Sequence, residues 1–144
     1  MTNQTATTRG DRSAAPPRAH GYAPRTYRLA LPYPRPPLTA NQRHHWARRA
    51  HLIAEIRHTT ATLARATGIP PLGRCAVRLI WTVTDRRRRD ADNLVPTLKA
   101  CADGLVDARV VADDTPDLMV KHMPEITHGH RAGLALVVEP LGGT

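Results

Sequence analysis

At 144 residues, 41% of them hydrophobic and none of them Phe, the chain has room for one domain around a modest core of Leu, Val, Ile and Ala. A net charge of +9 favours a polyanionic partner, nucleic acid ahead of anionic membrane. With no apolar run near the roughly 18 residues of a membrane span and no apolar N-terminal stretch of the secretory kind, the expectation is a soluble, cytoplasmic protein.

Residues 1–25 hold Thr, Pro, Arg, Ala and Gly without apolar period and read as a disordered basic tail, leaving 26–144 as the single domain. Tyr27-Arg28-Leu29-Ala30-Leu31 alternates and reads as a first strand. Pro32, Pro34, Pro36 and Pro37 then forbid helix and central strand, and Thr39-Ala40-Asn41 offers a helix N-cap. A long helix is expected from Asn41 to about Ala66, with Trp46, Leu52, Ile53, Ile56, Leu63 and Ala66 as its apolar stripe. Its other face carries Arg43, Arg48, Arg49, Arg57 and Arg65 against one acid, Glu55. His44, His51 and His58 share a face, but zinc helices want His at i and i+4.

After a turn from Gly68 to Gly73, Cys75 to Val83 has strand composition, with Val77, Leu79, Trp81 and Val83 on one face. Past an Arg and Asp cluster comes a second helix beginning near Asn93, with Pro96 at N3 and Leu94, Leu98, Cys101, Ala102 and Leu105 as its buried stripe. At about 100° per residue, Lys99 and Asp103 fall opposite that stripe, on the side of Asp92. Asp113-Asp114-Thr115-Pro116 is a turn, and Leu118 to Met123 and Ala132 to Val138 read as two strands joined as a hairpin around His128-Gly129-His130. The expected architecture is thus α/β (α+β): a small mixed sheet of about four strands with two main helices, in the order β-α-β-α-β-β. Cys75 and Cys101 lack metal spacing and sit in apolar context, so they read as reduced core residues.

Eight of the twelve acids lie between Asp85 and Asp117, and that window nets −2 in a chain whose remainder nets +11. An acidic pocket on a basic surface suits phosphodiester chemistry: the surface holds the nucleic-acid backbone and the pocket holds a divalent cation against one phosphate. In extended chain, Asp90 and Asp92 point the same way and can share an ion, with Asp114 or Asp113 supplying a third carboxylate. Hard oxygen donors select Mg²⁺ or Mn²⁺ over zinc. Such an ion acidifies the attacking water and offsets phosphoryl charge, while Lys99 can steady the developing negative charge. Taken singly, each acid also has a plain structural reading: Asp90 paired with an arginine, Asp92 or Asn93 as a cap, Asp113-Asp114 as a turn. Nineteen of the 21 basic residues are Arg, which suits bidentate phosphate contacts, although a GC-rich genome would raise Arg, Ala, Pro and Gly together. Lysine is correspondingly rare, only Lys99 and Lys121.

The run Asp85-Arg86-Arg87-Arg88-Arg89-Asp90-Ala91-Asp92-Asn93, followed by Lys99, Asp103-Gly104-Leu105 and Asp113-Asp114, resembles the RusA family of Holliday junction resolvases. The Pro-rich turn and Asn41 are similar to that family's start, and the resemblance covers about Tyr27 to Val138. It implies a small homodimeric endonuclease, often phage or prophage encoded, that nicks four-way DNA junctions symmetrically with Mg²⁺ in recombination, repair or phage DNA processing. By position, Asp90, Asp92 and Asp114 match the family's essential carboxylates and Lys99 its essential lysine. The family's lysine comes four residues after the second Asp of the motif, whereas Lys99 comes seven after Asp92, nearly one further helical turn. Asn41, Arg43, Arg48, Arg86, Arg87, Arg88, Arg89 and Asn93 are the expected DNA contacts. Two other readings stand beside it: a metal-dependent nuclease for other branched or single-stranded DNA, and a non-catalytic DNA-binding or packaging accessory protein.

Overall fold

A computed structural model describes residues 25–142, so the expected tail lies outside the described residues except for Arg25. The first strand, β1 (Tyr27–Leu31), forms where expected, with Leu29 and Leu31 buried and Arg28 and Ala30 exposed. The second, β2 (Cys75–Val83), also keeps its expected bounds and buries Cys75, Val77, Leu79 and Val83, while Trp81 is only half-buried.

The helix between them, α1, runs Trp46–Thr67 and not from Asn41. The chain is diverted at Ala40, whose N–H donates to the Asn93 carbonyl (3.0 Å), and Thr39 N–H donates to Gln42 Oε1 (3.2 Å). Those bonds make a turn of Thr39 to Gln42, and the cap falls to His45, whose Nδ1 accepts from Ala47 N–H at 3.3 Å. The stripe shifts too. Ile56, Thr60, Ala61 and Ala64 are buried, Leu52, Ile53 and Leu63 are half-buried, and Trp46 stands 76% exposed. Gly68, at φ 76°, closes the helix by donating to the Ala64 and Arg65 carbonyls, a left-handed position that suits glycine.

A short 3-10 turn, Ala91–Leu94, precedes α2 (Val95–Asp107). Pro96 therefore lies at N2 and Leu94 takes the cap position expected of Asn93, because the turn uses up the residues from Ala91 onward. The expected stripe is buried in full, from Leu94 and Leu98 through Cys101 and Ala102 to Leu105. Both cysteines are free and buried, and burial pushes the Cys101 thiol up to about 12. Gly104 lets the helices touch: a Cβ there would lie 2.6 Å from the Arg57 carbonyl oxygen and 2.8 Å from Thr60 Cβ. Gly104→Ala is therefore expected to destabilise the fold by about 1–3 kcal/mol from overpacking, despite the roughly 1 kcal/mol that alanine gains as a helix former. Urea unfolding followed by circular dichroism measures this, and a midpoint equal to or above the parent's would refute the close approach.

The remaining strands are β3 (Met119–Lys121), β4 (Glu125–His128) and β5 (Gly133–Pro140), making five in place of about four. The architecture is a mixed α+β fold, order β-α-β-α-β-β-β, with both helices against one sheet face through Leu29, Leu79, Leu136 and their neighbours. The expected hairpin does not form. β3 and β4 both pair parallel with β2, while β5 pairs antiparallel with its other edge, so residues 129–132 cross the end of β2. Met119 opposes Cys75 but Glu125 opposes Ile80, a slip of one residue taken up around Pro124, which cannot donate to a ladder. β5 in turn pairs with β1, giving the order β1-β5-β2-β3. No helix among the described residues is long and apolar enough to cross a membrane.

Candidate active site

The acid-rich segment leaves the end of β2, and its geometry starts with Asp85. That carboxylate pairs with Arg89 (2.7 Å) and more loosely with Arg87 (3.8 Å), and accepts from Arg87 N–H at 3.0 Å. Donation from Arg89 holds its carboxyl down at about 2. Arg89 also lies over the Trp81 ring at 5.0 Å, and Trp81 Nε1–H donates to the Pro34 carbonyl at 3.1 Å. Arg89 is thus engaged in joining the Pro-rich segment to the cluster, while Arg86, Arg87 and Arg88 are exposed. The arginine-balancing role open to Asp90 falls to Asp85.

Asp90 and Asp92 have no ion-pair partner among the described residues. Asp90 occupies the cap position of the 3-10 turn without a side-chain capping bond, and none is made at the start of α2 either. Asn93 is held by its backbone, donating to the Asp90 carbonyl (3.1 Å) and accepting from Ala40 N–H. Asn41 therefore lies in the turn tied to Asn93, its Oδ1 accepting from Thr39 Oγ1 at 2.7 Å. A second tie secures that arrangement: Thr97 Oγ1 donates to the Leu38 carbonyl (2.6 Å) and accepts from Leu38 N–H (3.3 Å).

Of the three residues expected on one side of α2, Lys99 and Asp103 meet as an ion pair, while Asp92 stays outside it. Lys99 Nζ meets Asp103 Oδ1 at 2.9 Å and also donates to Asp114 Oδ2. Lys121, which the sequence reading gave no role, reaches the same oxygen at 3.1 Å and the Asp114 carbonyl at 2.8 Å. Both lysines of the chain therefore converge on Asp114. Its carboxyl is held at about 2, first by Lys99 and then, against the effect of burial, by Lys121; the Lys99 ammonium is pushed up, chiefly by Asp114. Asp113, by contrast, turns back to accept from Asp114 N–H at 2.8 Å, a turn-forming role. A cavity of about 250 Å³ opens beside the lysines, between Val95, Leu98 and Lys99 on α2 and the residues from Lys121 to Pro124. A wider groove of about 590 Å³ along α1 holds none of the expected catalytic residues.

The pair has a defined pH range. A carboxyl lowered to about 2 stabilises the folded state above its unfolded value near 3.9 and loses that contribution as pH falls toward 2. A raised lysine contributes below its unfolded value near 10.4 and is lost only as pH rises past its higher folded value. The Asp114 carboxyl signal in an NMR titration is accordingly expected to stay in its ionised form down to about pH 3 and to move only below that. A midpoint near 4 would mean that the lysines do not hold it.

All the acids are oxygen donors, and both lysines approach Oδ2 of Asp114, leaving Oδ1 without a donor among the described residues. In donor chemistry the set fits a hard divalent cation. In placement the side chains stand apart: no group of three or more His, Cys, Asp or Glu among the described residues converges to hold a metal. The structure brings Asp114 to Lys99, but it places Asp92 inside the 3-10 turn that follows Asp90, so the extended backbone expected to aim both carboxylates the same way ends at Asp90.

No family model matches the chain. An uncharacterised protein of Xylella fastidiosa (strain Temecula1) is 31% identical over 90 residues. That stretch covers 59% of this chain and 59% of the relative, so the chain spans well under two thirds of the protein it matches.

Proposed function

We propose that the chain is a Mg²⁺-dependent endodeoxyribonuclease of the RusA type, acting on branched DNA and cutting four-way junctions by paired nicks. The observation that carries this reading is the meeting of Lys99 and Asp114, fifteen positions apart, beside a cavity that Lys99 and Lys121 line. A purely structural ion pair would not need two neighbouring carboxylates, Asp90 and Asp92, left without cap or partner in a chain of net charge +9.

In this reading Asp90, Asp92 and Oδ1 of Asp114 would hold the ion, with Mn²⁺ as a substitute. Bound there, it would acidify water and offset phosphoryl charge. Lys99 would turn from Asp114 toward the non-bridging oxygens of the scissile phosphate, where a positive charge favours the transition state over the ground state. Arg86, Arg87 and Arg88, with Arg43 and Arg48, would hold flanking phosphates, each as a forked donor. Asn41 and Asn93 would border the cleft on the side of the Pro-rich turn. Two matched nicks on strands of like polarity call for two sites related by a two-fold axis, hence a homodimer.

The test is cleavage of a labelled four-way junction beside a linear duplex of matched sequence, with Mg²⁺ and with chelator. Symmetric, metal-dependent nicks in the junction alone are expected. Equal cutting of both substrates would leave a general nuclease. A second reading, a DNA-binding accessory protein, is favoured by the side chains as they stand, with Asp114 neutralised by two ammonium groups and no three acids converging. It predicts metal-independent binding and no cutting.

A further inference from the structure

Of the two tryptophans, Trp81 is held by the fold, through its Nε1–H bond to Pro34 and the Arg89 guanidinium over its ring. Trp46 is not. It is 76% exposed, in the first turn of α1, and takes no part in the core. Leaving a Trp side chain in water forgoes the burial energy that would justify the residue. The ring is nonetheless braced: the His45 imidazole, fixed by its bond from Ala47 N–H, lies 5.5 Å away at a tilt of 36°.

From this we infer that Trp46 is a stacking platform for an unpaired DNA base, which would give the enzyme its preference for branched or single-stranded regions over plain duplex. The surroundings decide between occupants. From Asn41 to Ala54 the chain carries Arg43, Arg48 and Arg49 with two further histidines, His44 and His51, and no Asp or Glu. A second copy docked there about a two-fold axis would bring like charges together. A membrane would require more apolar surface beside the ring, yet the other exposed large hydrophobics among the described residues, Val95, Val120 and Met123, lie on α2 and at the β3 edge. An indole face flanked by arginines matches a base with its adjoining phosphates. The place is apt as well, since the turn leading into α1 is tied through Ala40 to Asn93 at the entry to the acidic site.

The inference rests on DNA being the partner, as proposed above, but not on the chain cutting it. The experiment titrates the full chain, in chelator, with a thymidine oligonucleotide, a blunt duplex and anionic phosphatidylserine vesicles, reading tryptophan fluorescence and affinity for the parent, Trp46→Ala and Trp46→Tyr. The parent should be quenched by the single strand, and Trp46→Ala should weaken single-strand binding on the order of tenfold or more. Trp46→Tyr should restore most of it, and duplex affinity should stay within about twofold, since phosphate contacts are indifferent to the ring. Equal loss on both DNAs, no loss on either, failure of tyrosine to rescue, or quenching by vesicles would each overturn the inference. So would a fall in sedimenting mass for Trp46→Ala, which would make the ring a contact between copies. If no DNA is ever cut but the quenching and rescue hold, the nuclease reading falls and this one stands.

Discussion

Asp92→Asn is expected to abolish junction cleavage while leaving junction binding intact or slightly tighter. Asp92 is exposed in the 3-10 turn, makes no ion pair and caps nothing, so the fold does not depend on its charge. The substitution keeps shape and removes one negative charge from the surface that, in the proposed function, would approach phosphate. Losing an outer partner of a metal ligand already costs about 10- to 100-fold in affinity or activity, so losing a ligand should cost at least about 100-fold. Asp114→Asn would be a poorer test, because that carboxylate also secures its loop to Lys99 and Lys121. The measurement is single-turnover cleavage at saturating Mg²⁺ beside a mobility shift in chelator. Cleavage at the parent's rate would remove Asp92 from the site, and joint loss of cutting and binding would make it structural.

Lys99→Met and Lys121→Met should separate the two lysines by what each loses. Lys99 is the more exposed and touches Asp103 and Asp114 only through side chains, so it can turn away toward a phosphate without disturbing the backbone. Removing it should lower the single-turnover rate on the order of 10²- to 10³-fold, the loss typical of one preorganised donor at developing negative charge. Lys121 is the less exposed and bonds the Asp114 carbonyl as well as its carboxylate, so it pins the loop. Its methionine variant should raise the Mg²⁺ concentration needed for half-maximal rate and speed amide exchange around Asp114, with a smaller fall in the rate at saturating metal. The assignment fails if the two variants exchange these signatures, or if Lys99→Met cuts at the parent's rate.

The parts of this fold that were legible in the sequence are those governed by local pattern. Tyr27–Leu31 and Cys75–Val83 alternate or run apolar, so the bounds of both strands were readable, and the stripe from Leu94 to Leu105 keeps helical period, so its buried face was readable although its start was not. The start of α1 was not, because what stops the helix reaching Asn41 is a bond from Ala40 to Asn93, far along the chain. Trp46 misled for a related reason: its spacing suits the stripe, but the helix turns that first residue outward, and an apolar pattern does not say where the core ends. The hairpin was expected from adjacency, whereas β4 is a strand only because β2 offers it an edge.

The same division runs through the site. Lys99 and Asp103 could be placed on one helix side by counting residues, and they do pair. Lys121 could not, because it arrives through the parallel register that sets it opposite Val77. Its one signal was scarcity, two lysines among nineteen arginines, and scarcity does not name a partner. Arg89 looked like its three neighbours and differs because it lies over the Trp81 ring and pairs closely with Asp85, which Arg87 meets only loosely.

The position of β5 has a consequence for how the molecule comes to be made. The last of the described strands is inserted between β1 and β2, and among the described residues β1 has no other strand partner. During synthesis, then, Tyr27–Leu31 must wait for Gly133–Pro140 before its amides find their ladder, and α1 and α2 must keep Leu79 and Ile56 shielded meanwhile. Long-range closure of this kind makes folding slow and leaves unpaired edges open to other chains. A net charge of +9 opposes this, because repulsion between nascent copies keeps them apart until the central strand arrives.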